Sequence, residues 1–260
     1  MPAPLNPFKA ALAQKKPQIG CWMTFGDALA AELMTTTGFD WLVVDGEHGP
    51  NDIRSITDQL RVLSPTSSHA VVRVPIGEDW MLKQALDAGA QTVLVPMVDT
   101  AEQAAGVVRA CRYAPEGVRG MGGYGARVTN FGAIEDYATT ANAQICVLVQ
   151  AETRAAIANL DDILAVEGVD GVFIGPADLS ADMGYPGDLT APEVQTVIAD
   201  AITRITAAGK AAGILTLSLE GAKTYLDLGA TFVAVGIDTV LLANTARALS
   251  RDAKSLISDD

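Results

Sequence analysis

Two acids set one crossover apart are spaced to share a cation. In residues 145–180, ICVLVQAETRAAIANLDDILAVEGVDGVFIGPADLS, a strand beginning at Cys146 runs into Glu152, and a second, Gly171 to Ile174, opens into Gly175-Pro176-Ala177-Asp178. Both are continuous apolar runs, as expected of parallel strands covered on both faces, and the segment between them is long enough for a crossover helix. Neighbouring strands lie about 4.8 Å apart, so Glu152 and Asp178 would leave the same carboxyl end of a sheet, where α/β folds place their chemistry. Ligands that are all oxygen suit Mg²⁺ or Mn²⁺ better than zinc, with Co²⁺ also admissible, and water and a chelating substrate would fill the other positions. On the residues alone, each acid could equally cap the helix that follows it.

The chain has two histidines. His48 follows the strand Trp41–Val44 in DWLVVDGEHGP, close behind Asp45. An aspartate that accepts a hydrogen bond from an imidazole fixes its tautomer and raises its basicity, which is the arrangement of a general base. A solvated loop histidine would read the same way. His69 precedes the third strand and belongs to the opposite, structural face. Arg73, near the end of that strand, cannot shed its charge and needs an anion there: either a substrate carboxylate, or an internal partner such as Asp45 or Glu47. Gly120-Met121-Gly122-Gly123-Tyr124-Gly125 has the letters of a dinucleotide fingerprint without its strand–turn–helix setting. Lys83 and Lys210 are placed for solvent and for the wrong strand end, so Schiff-base chemistry is not expected.

These residues need a scaffold that gathers strand ends. The pattern gives a first helix Pro7–Lys15 capped by Asn6, then strands at Gln18–Phe25, Trp41–Val44, Ala70–Val74, Thr92–Pro96, Cys146–Glu152, Gly171–Ile174, Lys210–Leu215 and Phe232–Val235. Helices alternate with them at about 27–37, 51–63, 78–88, 100–112, 132–141, 192–208, 219–228 and 239–254. Eight repeats in 260 residues point to a (β/α)₈ TIM barrel with an extra N-terminal helix, forming one domain over 1–260. Aromatic residues make up 5% of the chain, so an aliphatic barrel interior is expected. The glycine-rich connection RYAPEGVRGMGGYGARVTNFG is long enough to be a functional loop, and SADMGYPGDLTAPE reads as a loop over the active face.

A formal charge of −13 leaves no basic footprint for nucleic acid or an anionic membrane surface. Three scattered cysteines and no long apolar run fit a reduced cytoplasmic protein.

Taken together, VVDGEHGP, VVRVP, LDAGAQTVLVPMV, RYAPEGVRG, VLVQAET and GVDGVFIGPADLSADMGYPG resemble the metal-dependent pyruvate aldolases of the HpcH/HpaI family, in the family's order and across nearly the whole barrel. The resemblance implies reversible cleavage of 4-hydroxy-2-oxo acids to pyruvate or a close analogue such as hydroxypyruvate, plus an aldehyde, in a homohexamer built as a trimer of dimers. It assigns Glu152 and Asp178 to the metal, Gln150 to the lining of that site, Arg73 to the keto-acid carboxylate, and His48 paired with Asp45 to the base. Gly175, Pro176 and Ala177 would lie against the bound carboxylate. Trp22 and Leu215 would shape the aldehyde pocket, and Asp87 would approach that pocket in a neighbouring subunit. A citryl- or malyl-CoA-type lyase and a non-catalytic 2-oxo-acid-binding barrel are the rival readings. The first lacks a basic cluster for nucleotide phosphates, and the second retains acids and a histidine that it would not need.

Overall fold

The computed structural model describes residues 1–257. Eight strands, β1 (Gln18–Met23), β2 (Trp41–Asp45), β3 (His69–Arg73), β4 (Thr92–Val95), β5 (Cys146–Ala151), β6 (Gly171–Ile174), β7 (Ala211–Leu215) and β8 (Phe232–Ile237), pair in sequence order, and β8 closes on β1. All eight pairings are parallel. The helices are α1 (Pro7–Ala13), α2 (Ala28–Thr35), α3 (Ile53–Leu63), α4 (Asp79–Ala88), α5 (Ala101–Cys111), α6 (Tyr137–Thr140), α7 (Arg154–Ala158), α8 (Leu160–Leu164), α9 (Pro176–Asp182), α10 (Pro192–Ala207), α11 (Leu219–Asp227) and α12 (Asp238–Lys254). The (β/α)₈ barrel with its added N-terminal helix is therefore the architecture.

Local chemistry sets where helices start. Asp52 and Thr100 each accept the N3 backbone N–H while the N3 side chain, Ser55 or Gln103, returns the bond, a capping box at α3 and at α5. The expected loop SADMGYPGDLTAPE is helical over its first three residues, for a related reason. Pro176 stands at the first helical position, where its missing N–H costs nothing, so residues 176–182 wind into α9 and only the stretch behind it is loop. The β5–β6 crossover is not one helix but two short ones, interrupted at Asn159.

The barrel interior departs most from expectation. Aliphatic side chains fill the layer between sheet and helices, whereas the lumen holds Trp22, Trp41, Phe173 and Phe232, with Phe8 entering from α1. Large rings fit because glycines face them: a Cβ at Gly20 would overlap the Trp41 indole, and one at Gly213 would overlap the Phe232 ring. Few aromatics in the whole chain thus does not mean few in the lumen. At the amino end of the strands, Phe8 stacks on His69 with centroids 5.2 Å apart, and His69 Nε2 lies 2.7 Å from Thr92 Oγ1. Burial pushes the His69 pKa down to about 4, so the ring stays neutral in the plug. That is the structural role its position suggested.

Helix α12 is 17 residues long yet buries only Asp238, and Leu241, Leu242 and Leu249 are exposed. None of the described helices is long and apolar enough to cross a membrane. The three cysteines are buried free thiols.

Candidate active site

The carboxyl ends of β2, β3, β5 and β6 bring the candidate residues together. Register places Asp45 opposite Arg73 across β2 and β3, and the two side chains meet in a bidentate pair: Arg73 Nε donates to Asp45 Oδ1 at 2.8 Å and Nη2 to Oδ2 at 2.6 Å. Arg73 Nη1 lies 2.7 Å from Glu47 Oε2, and the guanidinium sits over the Trp22 ring, 5.4 Å from its centroid. Arg73 is thus held between two acids and an aromatic face. Of its five N–H groups, two donate to Asp45, whereas the contact with Glu47 is an ion pair that leaves Glu47 Oε2 buried without a hydrogen bond, so three N–H groups remain to meet an anion.

This pairing corrects one expectation. The Asp45 carboxylate is spent on Arg73 and on the backbone N–H groups of Glu47 (3.0 Å) and His48 (3.4 Å), not on the His48 imidazole. The ring projects outward, 66% exposed, and its nearest carboxylate is Glu47, with Nε2 4.0 Å from Oε2. Glu47 is therefore the site residue that sequence reasoning left in the background. Its signal was present in VVDGEHGP, where it was weighed only as a partner for Arg73.

Across the mouth, β5 ends in Gln150 and Ala151, and Glu152 follows directly. Glu152 is 1% exposed. The Met97 N–H donates to its Oε1 at 2.8 Å, and Gln150 Nε2 donates to its Oε2 in a very short contact. Glu152 caps no helix; Thr153 does that for α7 by accepting the Ala156 N–H. Burial raises the Glu152 pKa to about 7, the two hydrogen bonds oppose the shift, and the nearby charges of Glu47 and Asp178 add to it. Burial likewise raises Glu47, with Arg73 pulling the other way. Met97 adopts φ of +56° to present its N–H to the acid, a conformation that side chains other than glycine rarely hold.

Asp178 stands exposed in the first turn of α9, and the pairing of Ala151 with Ile174 carries Glu152 alongside Gly175. Gly175 has to be a glycine here: a Cβ would overlap Glu152 Oε2 and lie 3.1 Å from Gln150 Nε2. Pro176 and Ala177 follow on the same rim. The Gln150 Oε1 atom is buried without a hydrogen-bond partner. Three mutually repelling acids, Glu47, Glu152 and Asp178, beside an unused amide oxygen form an oxygen-rich setting that a hard divalent cation would neutralise. Among the described residues, no group of three His, Cys, Asp or Glu side chains is arranged to hold a metal ion. Protein ligation through Glu152 and Asp178 alone leaves room for water and substrate.

Trp22 lies in the lumen directly below this rim and Leu215 at the end of β7. Asp87 is not part of the assembly within one chain. It sits on α4 and accepts from Arg119 Nη2 at 2.7 Å beneath the glycine-rich loop.

A model of the HpcH/HpaI aldolase/citrate lyase family matches residues 18–245. The chain belongs to this family. It is 63% identical over 250 residues to the hydroxypyruvate/pyruvate aldolase of Agrobacterium fabrum, covering 96% of this chain and 94% of that protein. It is 54% identical to the 4-hydroxy-2-oxovalerate aldolase of Rhodococcus jostii, covering 96% of each. Among solved structures, an HpcH/HpaI aldolase/citrate lyase family protein of Burkholderia cenocepacia superposes with a TM-score of 0.92 at 38% identity, over 96% of this chain and 99% of that one. Membership in the HpcH/HpaI family accounts for the whole barrel, since the match begins at the first residue of β1 and ends within α12.

Proposed function

We propose that this protein is a carbon–carbon lyase that reversibly cleaves 4-hydroxy-2-oxo acids to pyruvate or hydroxypyruvate and an aldehyde. Relatives named as aldolases for such substrates, at 54–63% identity over nearly the full chain, support the reaction class. The observation that carries the site assignment is Glu152: a buried acid clamped at both oxygens, facing Asp178, with the Arg73 guanidinium across the same mouth.

A divalent cation held by Glu152 and Asp178, Mg²⁺ or Mn²⁺ with Co²⁺ as a substitute, would supply positive charge where the substrate ketone becomes an enolate. Arg73, fixed by Asp45 and Glu47, offers its remaining N–H groups to the substrate carboxylate and sets its orientation. Gln150 and the rim from Gly175 to Ala177 confine the keto acid, Trp22 forms the floor, and Leu215 borders the aldehyde portion. His48 accepts the C4 hydroxyl proton, directly or through one water. The C3–C4 electron pair then passes to the oxo-acid fragment as the aldehyde carbonyl forms, and protonation at C3 gives the free 2-oxo acid. Glu47 rather than Asp45 is the carboxylate placed to tune that imidazole.

The assembly we infer is a homohexamer of single-domain cytoplasmic subunits, in which Asp87 reaches a neighbour's aldehyde pocket. The bare apolar face of α12, with Leu29 and Leu33 exposed on α2, supports burial against other copies.

Exchange of pyruvate methyl protons into D₂O, followed by NMR on protein stripped with EDTA and then supplied with Mg²⁺ or Mn²⁺, tests enolate formation without assuming an aldehyde. Metal-dependent exchange supports the reading. Folded protein that gives no exchange with pyruvate or hydroxypyruvate under either metal overturns it.

A further inference from the structure

At the end of the barrel away from the acids lies a cavity of 560 Å³, bounded by the N-terminal segment at Pro4 and Leu5, the α3–β3 turn, the start of β4 and the stretch from Arg127 to Tyr137. Its size is that of a small-ligand pocket. Its charge is anomalous for this chain. The sequence carries 31 acids against 18 lysines and arginines, yet no aspartate or glutamate lines this cavity, and an arginine does.

Arg127 donates one hydrogen bond, from Nη1 to the Ala88 carbonyl at 2.7 Å at the end of α4, and pairs with no carboxylate. Its other N–H groups have no protein partner among the described residues. Partial burial lowers the Arg127 pKa, and the positive charge of nearby Arg61 adds to the shift. Arg73, at the other end, has two acids. Beside Arg127 the lining offers the Ser64 and Ser67 hydroxyls, which have no protein hydrogen bond among the described residues, and an apolar wall that includes Leu5, Val128 and Phe131. Asn130 and Phe131, both on the lining, hold consecutive left-handed conformations, φ +49° and +54°. Such a conformation is costly for a bulky side chain, and clamped pairs of this kind gather at ligand sites.

We propose that this cavity is a second, non-catalytic binding site for a small organic carboxylate with an apolar body, its carboxylate taken by Arg127 and the serine hydroxyls and its body by Leu5, Val128 and Phe131. The inference is independent of the reaction at the other end.

The test uses 4-fluorobenzoate as probe and 4-fluorobenzamide as its neutral counterpart, read by ¹⁹F NMR line broadening on the full-length protein with Mg²⁺ and saturating pyruvate present. Saturable binding of the benzoate that the pyruvate leaves intact is expected, with the benzamide at least about tenfold weaker. Arg127→Gln should weaken the benzoate by about tenfold or more, as for a charge-assisted hydrogen bond. Because Arg127 also holds the end of α4, Ser67→Asp provides a second reading: it places a negative charge on the exposed rim and should abolish binding without touching that contact. Equal binding of benzoate and benzamide, benzoate displacement by pyruvate, or unchanged affinity in folded Ser67→Asp protein would each overturn the proposal.

Discussion

The two ends of the barrel treat buried charge in opposite ways. At the carboxyl end, three acids crowd together and burial raises Glu152 and Glu47, while the arginine among them is tied down by Asp45 and Glu47. At the amino end, α1 plugs the lumen with Phe8, the histidine beneath it is held neutral, and Lys9 of α1 is paired with Asp170. One end stores electrostatic tension that a cation and an anionic substrate would relieve. The other secures the fold with stacked rings and polar groups that are already satisfied, such as Asn6 bonded to Thr92 and to the Gln91 and Gln144 carbonyls. The lesson is a division of labour along the barrel axis: substitutions at the mouth should change chemistry at little cost in stability, and substitutions at the plug should do the reverse.

The sharpest attempt to break that division is Glu152→Ala. Metal-dependent exchange of pyruvate protons should fall by about 10³-fold or more, since charge stabilisation at such a site is worth several kcal/mol, while urea unfolding stays near wild type or shows a gain from removing a strained acid. Wild-type exchange in this variant would remove the metal assignment. Next in size, His48→Ala should slow cleavage of a 4-hydroxy-2-oxo acid by about 10²–10⁴-fold; a full rate would move the proton transfer to another group. At the other end, Phe8→Ala should cost about 3–5 kcal/mol in unfolding free energy and leave kcat unchanged at temperatures where the variant is folded. A large fall in kcat there would show that the two ends are coupled.

Acid sharpens the same contrast. Unfolded His69 takes up a proton below about 6.5, whereas the folded ring resists until about 4. Its contribution is intact above 6.5 and is lost as pH falls toward 4, by roughly 2–3 kcal/mol. Urea midpoints at pH 7 and pH 4.5 should diverge in the wild type, and less so in His69→Gln. The smallest expected effect is that of Gly175→Ala. Its new methyl must displace the Glu152 carboxylate, so Mn²⁺ affinity, measured calorimetrically, should drop by about 10–100-fold, the range seen when groups that orient a ligand are disturbed.

Much of this was legible in the sequence because strand ends are. Apolar runs that stop at Glu152, or just before Gly175, mark both the strand and the rim, so the residues now found around the mouth could be proposed before any geometry. What could not be read were choices among near-equal partners. Asp45 stands close to both His48 and Arg73 in the fold, and only the β2–β3 register, which sets it opposite Arg73, decides the pairing. Glu47 was recoverable as an ion-pair partner but not as a member of the acid cluster, because its proximity to Glu152 and Asp178 is made by strands distant in sequence. The lumen was misjudged because composition averages over the whole chain, whereas ring packing depends on which few positions face inward and which glycines face them.

The bare positions at Gly20 and Gly213 also impose a rule on divergence. A side chain gained at Gly20 cannot coexist with the Trp41 indole, nor one at Gly213 with the Phe232 ring. Each pair must drift in step, small for large and large for small, so a designer who wishes to widen the lumen has to rewrite both members at once.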